Sequence, residues 1–138
     1  MSEMIMMDYK VISKLSAARG ATIIIKESQI DFGTTAITSE VLPSPAELFL
    51  GSFASCILKN IERFSEILKY EYQKATIEVS ATRLETPPRM EDIAYVLKIY
   101  SKDDNLNVKL LKRNIEKYGT IFNTVKSACT ISGRIIKI

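Results

Sequence analysis

The segment from Ser44 to Tyr70 constrains the fold more than any other part of the chain. Ser44-Pro45-Ala46-Glu47 places a hydroxyl at a helix N-cap, proline at the first helical position and glutamate three residues after the cap, the composition of a capping box. The pattern that follows predicts a helix from Pro45 to about Tyr70, roughly 26 residues or ~39 Å long. Its first half (Leu48, Phe49, Leu50, Phe53, Ala54, Cys56, Ile57, Leu58) is apolar nearly all round, and its second half keeps Ile61, Phe64, Ile67 and Leu68 between charged residues. An all-round apolar helix needs cover on every side, so the first half is expected to be fully buried. Gly51 and Ser55, one turn apart, leave a low surface that invites a second backbone from a neighbouring element or subunit.

The flanking sequence reads as strands. Residues 7–15 and 21–32 are β-branched-rich runs, separated by the turn-like Ser16-Ala17-Ala18-Arg19-Gly20, and predict two or three antiparallel strands. Residues 33–43 read as a loop. Beyond the helix, Ala75, Ile77, Val79 and Ala81 alternate with polar residues, as do Ile93, Tyr95, Leu97 and Ile99, and the turn Thr86-Pro87-Pro88-Arg89 between them makes a long hairpin. Asp104 or Asn105 is expected to cap a helix carrying Val108, Leu111, Ile115 and Tyr118 on one face, with Gly119 as its terminator. A short helical turn at Ile121, Phe122 and Val125 follows, and Gly133 opens a last strand over residues 134–138. This order predicts an α+β fold with an antiparallel sheet and a long central helix. A length of 138 residues suits a single domain over residues 1–138.

Composition removes many activities. The chain contains no histidine, which rules out Ser-His-Asp and Cys-His catalysis and any histidine-ligated metal. Its 19 basic and 16 acidic residues are scattered, and the net charge of +3 does not point to nucleic acid or a membrane surface as a partner. No stretch reads as the ~20 consecutive apolar residues of a membrane span. Residues 1–10 lack the basic start and apolar run of a signal peptide, so a cytoplasmic location is expected.

The two cysteines, Cys56 and Cys129, lie 73 positions apart and form no Cys-x-x-Cys motif. Cys56 falls in mid-helix, with Lys59 and Arg63 one and two turns on. Helical side chains lean toward the N-terminus, so these cations point back toward the thiol and favour its reactive thiolate. The same residue also reads as a small buried hydrophobe beside a solvated cationic face. Cys129 lies in Ala128-Cys129-Thr130-Ile131-Ser132-Gly133, between a helix and a strand, where reactive side chains are often displayed. The sequence spacing leaves open whether the two thiols meet.

Ser44-Pro45-Ala46-Glu47-Leu48-Phe49-Leu50-Gly51-Ser52-Phe53-Ala54-Ser55-Cys56 resembles the helix start of the OsmC/Ohr family, the osmotically induced and organic hydroperoxide resistance proteins. Cys129-Thr130-Ile131-Ser132 resembles that family's Cys-Pro-Val-Ser, and the order of elements agrees along essentially the whole chain. The resemblance implies an intertwined homodimer and a thiol-dependent peroxidase, antioxidant and stress-related, that reduces organic hydroperoxides. It makes Cys56 the peroxidatic and Cys129 the resolving cysteine, with a dithiol as reductant and no cofactor or metal. Phe49, Phe53, Ile57 and Phe122 become candidates to line an apolar pocket. The family also uses an arginine, with which Arg19 aligns loosely, and a glutamate directly after the proline. That last position is Ala46 here, and Glu47 belongs to the capping box instead. Thr130 replaces the family's proline and is expected to change turn stiffness. Loss of the glutamate keeps open a second reading, a non-catalytic binding or redox-sensing protein of the same fold.

Overall fold

In the computed structural model, which describes residues 6–138, the N-terminal β-branched runs form a three-stranded antiparallel meander: β1 (Ile12–Ser16), β2 (Gly20–Ile25) and β3 (Ser28–Phe32). Arg19 N–H closes the first turn on the Ser16 carbonyl at 3.0 Å, and Gly20 takes φ of 126°, which a side chain would resist. The expected loop contains a single 3₁₀ turn, Thr38–Glu40, whose Thr38 hydroxyl accepts the N–H groups of Thr34 and Thr35. These elements belong to the first of two compact units, which ends at Leu48; the second is Phe49–Ile138. The reading of residues 1–10 falls partly outside the described residues.

The first unit is poorly covered. Every residue of β1 is exposed, including Leu15 at 69%, and Ile37 and Val41 stand more than four-fifths exposed. A three-stranded sheet needs an apolar face packed on something to be stable by itself.

The long helix, α1, runs Pro45–Ile67. Its capping box forms as the sequence predicts: Glu47 N–H donates to Ser44 Oγ at 3.2 Å and Ser44 N–H donates to Glu47 Oε1 at 3.0 Å. It ends three residues before Tyr70 because Lys69 turns into the left-handed region, at φ of 55°. Tyr70 N–H then reaches back to the Ser65 carbonyl at 3.1 Å, a Schellman closure with lysine where glycine is usual.

The rest of the second unit comprises β4 (Lys74–Glu85), β5 (Pro88–Tyr100), α2 (Val108–Tyr118), α3 (Thr120–Lys126) and β6 (Ile131–Lys137). Strands β4 and β5 are the expected hairpin. The last strand corrects the expectation of a purely antiparallel sheet, because β6 pairs with β5 in parallel, Ile93 opposite Ile131. Two helices separate β5 from β6, and such a crossover returns the chain in the direction it started. The cap of α2 is Asn107 rather than Asp104 or Asn105; its Oδ1 accepts Leu110 N–H at 3.0 Å.

A single core organises this unit. Phe53, Ile57, Ile61 and Phe64 of α1 meet Ile93, Tyr95, Leu97 and Ile99 of β5, with Leu111 and Ile115 of α2 and Phe122 and Val125 of α3. The expectation that the first half of α1 is buried on all sides fails within one chain: Gly51, Ser52 and Ser55 are exposed, and Phe49 is 41% exposed. Only the stripe at 53, 57, 60, 61 and 64 is buried, since the sheet and two helices supply cover for one side.

By length and composition Thr38–Ile67 contains an 18-residue stretch apolar enough to cross a membrane, at a mean hydropathy of 1.4, where the sequence suggested no such stretch. Small residues such as Gly51, Ser52 and Ser55 lower that average little. The charge-free part of α1, residues 48–58, spans about 16 Å at 1.5 Å per residue, roughly half the ~30 Å hydrocarbon core of a bilayer.

Gly133 is fixed by sterics. It pairs with Tyr95 across the parallel ladder, and a Cβ there would lie 1.9 Å from the Tyr95 ring. The ring is itself held, its hydroxyl donating to Glu116 Oε2 at 3.0 Å while Lys112 pairs with the same carboxylate. Gly133→Ala is therefore expected to destabilise the protein by about 1–3 kcal/mol, the usual cost of overpacking. Urea unfolding checks this: an unchanged midpoint would contradict the packing described.

Candidate functional site

Cys56 sits half-buried at the margin of the α1 core stripe, beside the fully buried Phe53 and Ile57. Phe49, Ser52, Cys56, Lys59 and Arg63 follow one another at spacings of three and four, so they share one flank of the helix. Lys59 and Arg63 are exposed. The Arg63 guanidinium lies 5.4 Å from the centroid of the Phe64 ring, so this cation is stacked on its neighbour two turns beyond the thiol.

Cys129 follows α3. Its N–H donates to the Val125 carbonyl at 2.9 Å, its side chain packs against the core, and its thiol donates to the Met90 carbonyl at 3.4 Å. Burial pushes this thiol above its ordinary range, and the Glu91 carboxylate pushes it further. Both cysteines are free thiols rather than a disulfide. They lie in the same unit, one on the helix that carries Phe53 and Ile57, the other against the core those residues help to form.

The segment after Cys129 is held by two residues of β5 that the sequence did not single out, Glu91 and Asp92. Thr130 N–H donates to Glu91 Oε1 at 3.0 Å, and the Thr130 hydroxyl donates to Asp92 Oδ1 at 2.8 Å. Thr130 thus supplies two hydrogen-bond donors where proline would supply none, which goes beyond the expected change in turn stiffness. The visible signal was Glu91-Asp92 standing immediately before the apolar alternation of β5, two acids at a strand entrance with no assigned task.

Arg19 occupies the β1–β2 turn in the first unit and is exposed. Position 46, at the start of α1, carries only a methyl group, and Glu47 is engaged by the N-cap. Of the candidate pocket residues, Phe53, Ile57 and Phe122 are plain core: Phe53 and Phe122 stack at 5.7 Å between centroids, and Phe53 also meets Tyr95 at 6.3 Å. Phe49 alone is accessible. An open cleft of about 460 Å³ lies among Lys69, Glu71, Gln73, Lys102, Asp103 and Asn105, but its lining is polar and contains neither thiol. There Asp103 accepts the N–H groups of Asn105 and Glu71, which hold its carboxyl below the usual range and tie two loops together. Among the described residues no group of three or more Cys, Asp or Glu side chains is placed to hold a metal ion. The chemistry available is that of two free thiols in unlike surroundings.

Comparison with known proteins places this arrangement. Residues 38–133 match the family described as OsmC-like protein. The fold is similar to that of an OsmC-like protein from Mycoplasma pneumoniae, at 16% identity and a TM-score of 0.86, with 97% of this chain and 99% of that one covered. It is similar also to an organic hydroperoxide resistance protein OsmC from Legionella pneumophila (14% identity, TM-score 0.67, 93% and 97% covered). The organic hydroperoxide resistance protein OhrB of Bacillus subtilis shares it as well (16% identity, TM-score 0.63, 91% and 96% covered). No curated protein matches the chain by sequence. The α+β architecture, with two three-stranded sheets and a long helix, and the match over residues 38–133 agree, and the chain belongs to the OsmC-like protein family.

Proposed function

We propose that the protein, acting as one domain over residues 1–138, is a thiol-dependent peroxidase that reduces organic hydroperoxides through Cys56 and Cys129. The observation that carries this reading is that the chain's two cysteines occupy the two motif positions and belong to elements sharing one core. The Cys56 sulfur attacks the terminal peroxide oxygen, the O–O bond breaks, and an alcohol leaves as Cys56 becomes a sulfenic acid. The Cys129 sulfur then attacks the Cys56 sulfur, a disulfide forms, and the sulfenic oxygen departs as water with the thiol proton. A dithiol reductant returns both thiols. Arg19 is assigned the role of polarising the peroxide. Because position 46 lacks a carboxylate to orient that arginine, turnover should be lower by a factor on the order of 10². The same absence is the feature that favours the alternative, a binding or redox-sensing protein without turnover. The working location is the cytoplasm, where dithiol reductants are available.

Peptide mass mapping under non-reducing conditions after mild peroxide treatment tests the pairing. A 56–129 disulfide within one chain is expected; two free or separately oxidised cysteines would remove the two-thiol mechanism.

We infer further that the working form is a homodimer. The support is apolar or flat surface left open on both units separately: Ile12 and Leu15 on β1, and on α1 Phe49 on one flank and the low surface at Gly51 and Ser55 on another. Nothing within 4 Å occupies the space above Gly51. Sedimentation at micromolar concentration should give a mass near 31 kDa, twice the 15.5 kDa chain. A folded monomer under those conditions would contradict the inference.

A further inference from the structure

The Cys129 loop is held by carboxylates to which the peroxidase steps give no role. Asp92 adopts φ of 51°, and with Ile93 it opposes the single residue Ala81 across the hairpin, a bulge at the point where β5 begins to pair with β6. Ile93 N–H donates to the Thr130 carbonyl at 2.9 Å there, and Asp92 and Glu91 take the Thr130 hydroxyl and N–H. The residue following Cys129 is therefore fixed on its carbonyl, amide and side chain at once. Such complete anchoring of one exposed threonine acts on its neighbour, whose thiol is thereby set against the Met90 carbonyl.

That contact has a chemical condition. Only a protonated thiol donates to a carbonyl; a thiolate in the same place would face the Met90 oxygen and the Glu91 carboxylate, both negative. Asp92 meets Thr130 alone, accepting its hydroxyl. The cations in the flanking sequence, Lys126 at the end of α3 and Arg134 in β6, are exposed. We propose that Glu91 is a positioning residue for Cys129: tied to Thr130, its carboxylate fixes the thiol against Met90 and keeps it protonated. Cys129 is then withheld from direct oxidation and kept for attack on an oxidised Cys56. The last clause rests on the peroxidase reading; the protonation and anchoring do not. Burial and Glu91 both raise the thiol, in that order of size, which agrees with the geometry.

Alkylation of Cys129 by iodoacetamide, followed against pH by intact mass in a Cys56→Ser background, tests the proposal without any peroxide. Glu91→Gln retains an oxygen to accept the Thr130 N–H but removes the charge. Its profile is expected to move to lower pH, with reaction at neutral pH faster by roughly threefold to tenfold. Glu91→Ala loses the anchor as well and should react faster than the parent across the range. A Glu91→Gln profile superimposable on the parent's overturns the proposal, because a purely structural role would alter Glu91→Ala alone. Failure here would leave the 56–129 disulfide unaffected, and absence of that disulfide would leave this titration unaffected, so the two readings are separable.

Discussion

Phe53, Ile57, Ile61 and Phe64 form one stripe of α1, and β5 offers Ile93, Tyr95, Leu97 and Ile99 opposite them. Burying the four helix side chains contributes roughly 6–12 kcal/mol before chain entropy is counted, at about 1.5–3 kcal/mol each. Everything else in the second unit is placed by that contact. It fixes the rotation of α1, and so puts Cys56 at the edge of the stripe rather than inside it. It selects which face of the hairpin is inner, and the α2–α3 crossover must then close over the same residues before β6 returns in parallel. Cys129 stands where that crossover ends, which is why the fold that buries the stripe also carries the second thiol to the core.

Much of this was legible from periodicity. The capping box at Ser44 and Glu47, the alternation of β4 and β5 and the Gly119 break are local signals, and local signals are what a sequence displays best. The helix end was not legible, because a lysine at φ of 55° has no signature in composition. Nor was the parallel sense of β6, which depends on the route of a crossover rather than on any residue within the strand. The all-round apolar first half of α1 was read as a demand for cover on every side, and within the chain only the stripe at 53, 57, 60, 61 and 64 receives it, because a helix laid on one sheet and two helices is covered along one face.

The candidate site divides in the same way. Both cysteines stood out through the motifs around them, whereas Glu91 and Asp92 are 38 and 37 positions from Cys129 and meet its loop only because β5 and β6 are neighbours. Thr130 shows how a substitution is reinterpreted once partners are visible. Replacing proline exposes an N–H and adds a hydroxyl at a crowded turn, and two acidic residues take both donors, so a change of turn stiffness becomes a change in the electrostatics of the adjacent thiol. Position 46 has no such compensation in its helix: the acid beside it is committed to the N-cap.

The proposed activity requires Cys56 to be the group that meets the oxidant. The most direct test is the rate of sulfenic acid formation at Cys56 in Cys129→Ser protein, followed by mass with cumene hydroperoxide and with hydrogen peroxide. A peroxidase for organic hydroperoxides predicts that Cys56 oxidises with both and faster with cumene hydroperoxide, by roughly tenfold or more, equivalent to ~1.4 kcal/mol of preferential transition-state binding. A Cys56 that oxidises no faster than a free thiol, with either peroxide, would contradict the account and leave the protein as a binder built on this fold.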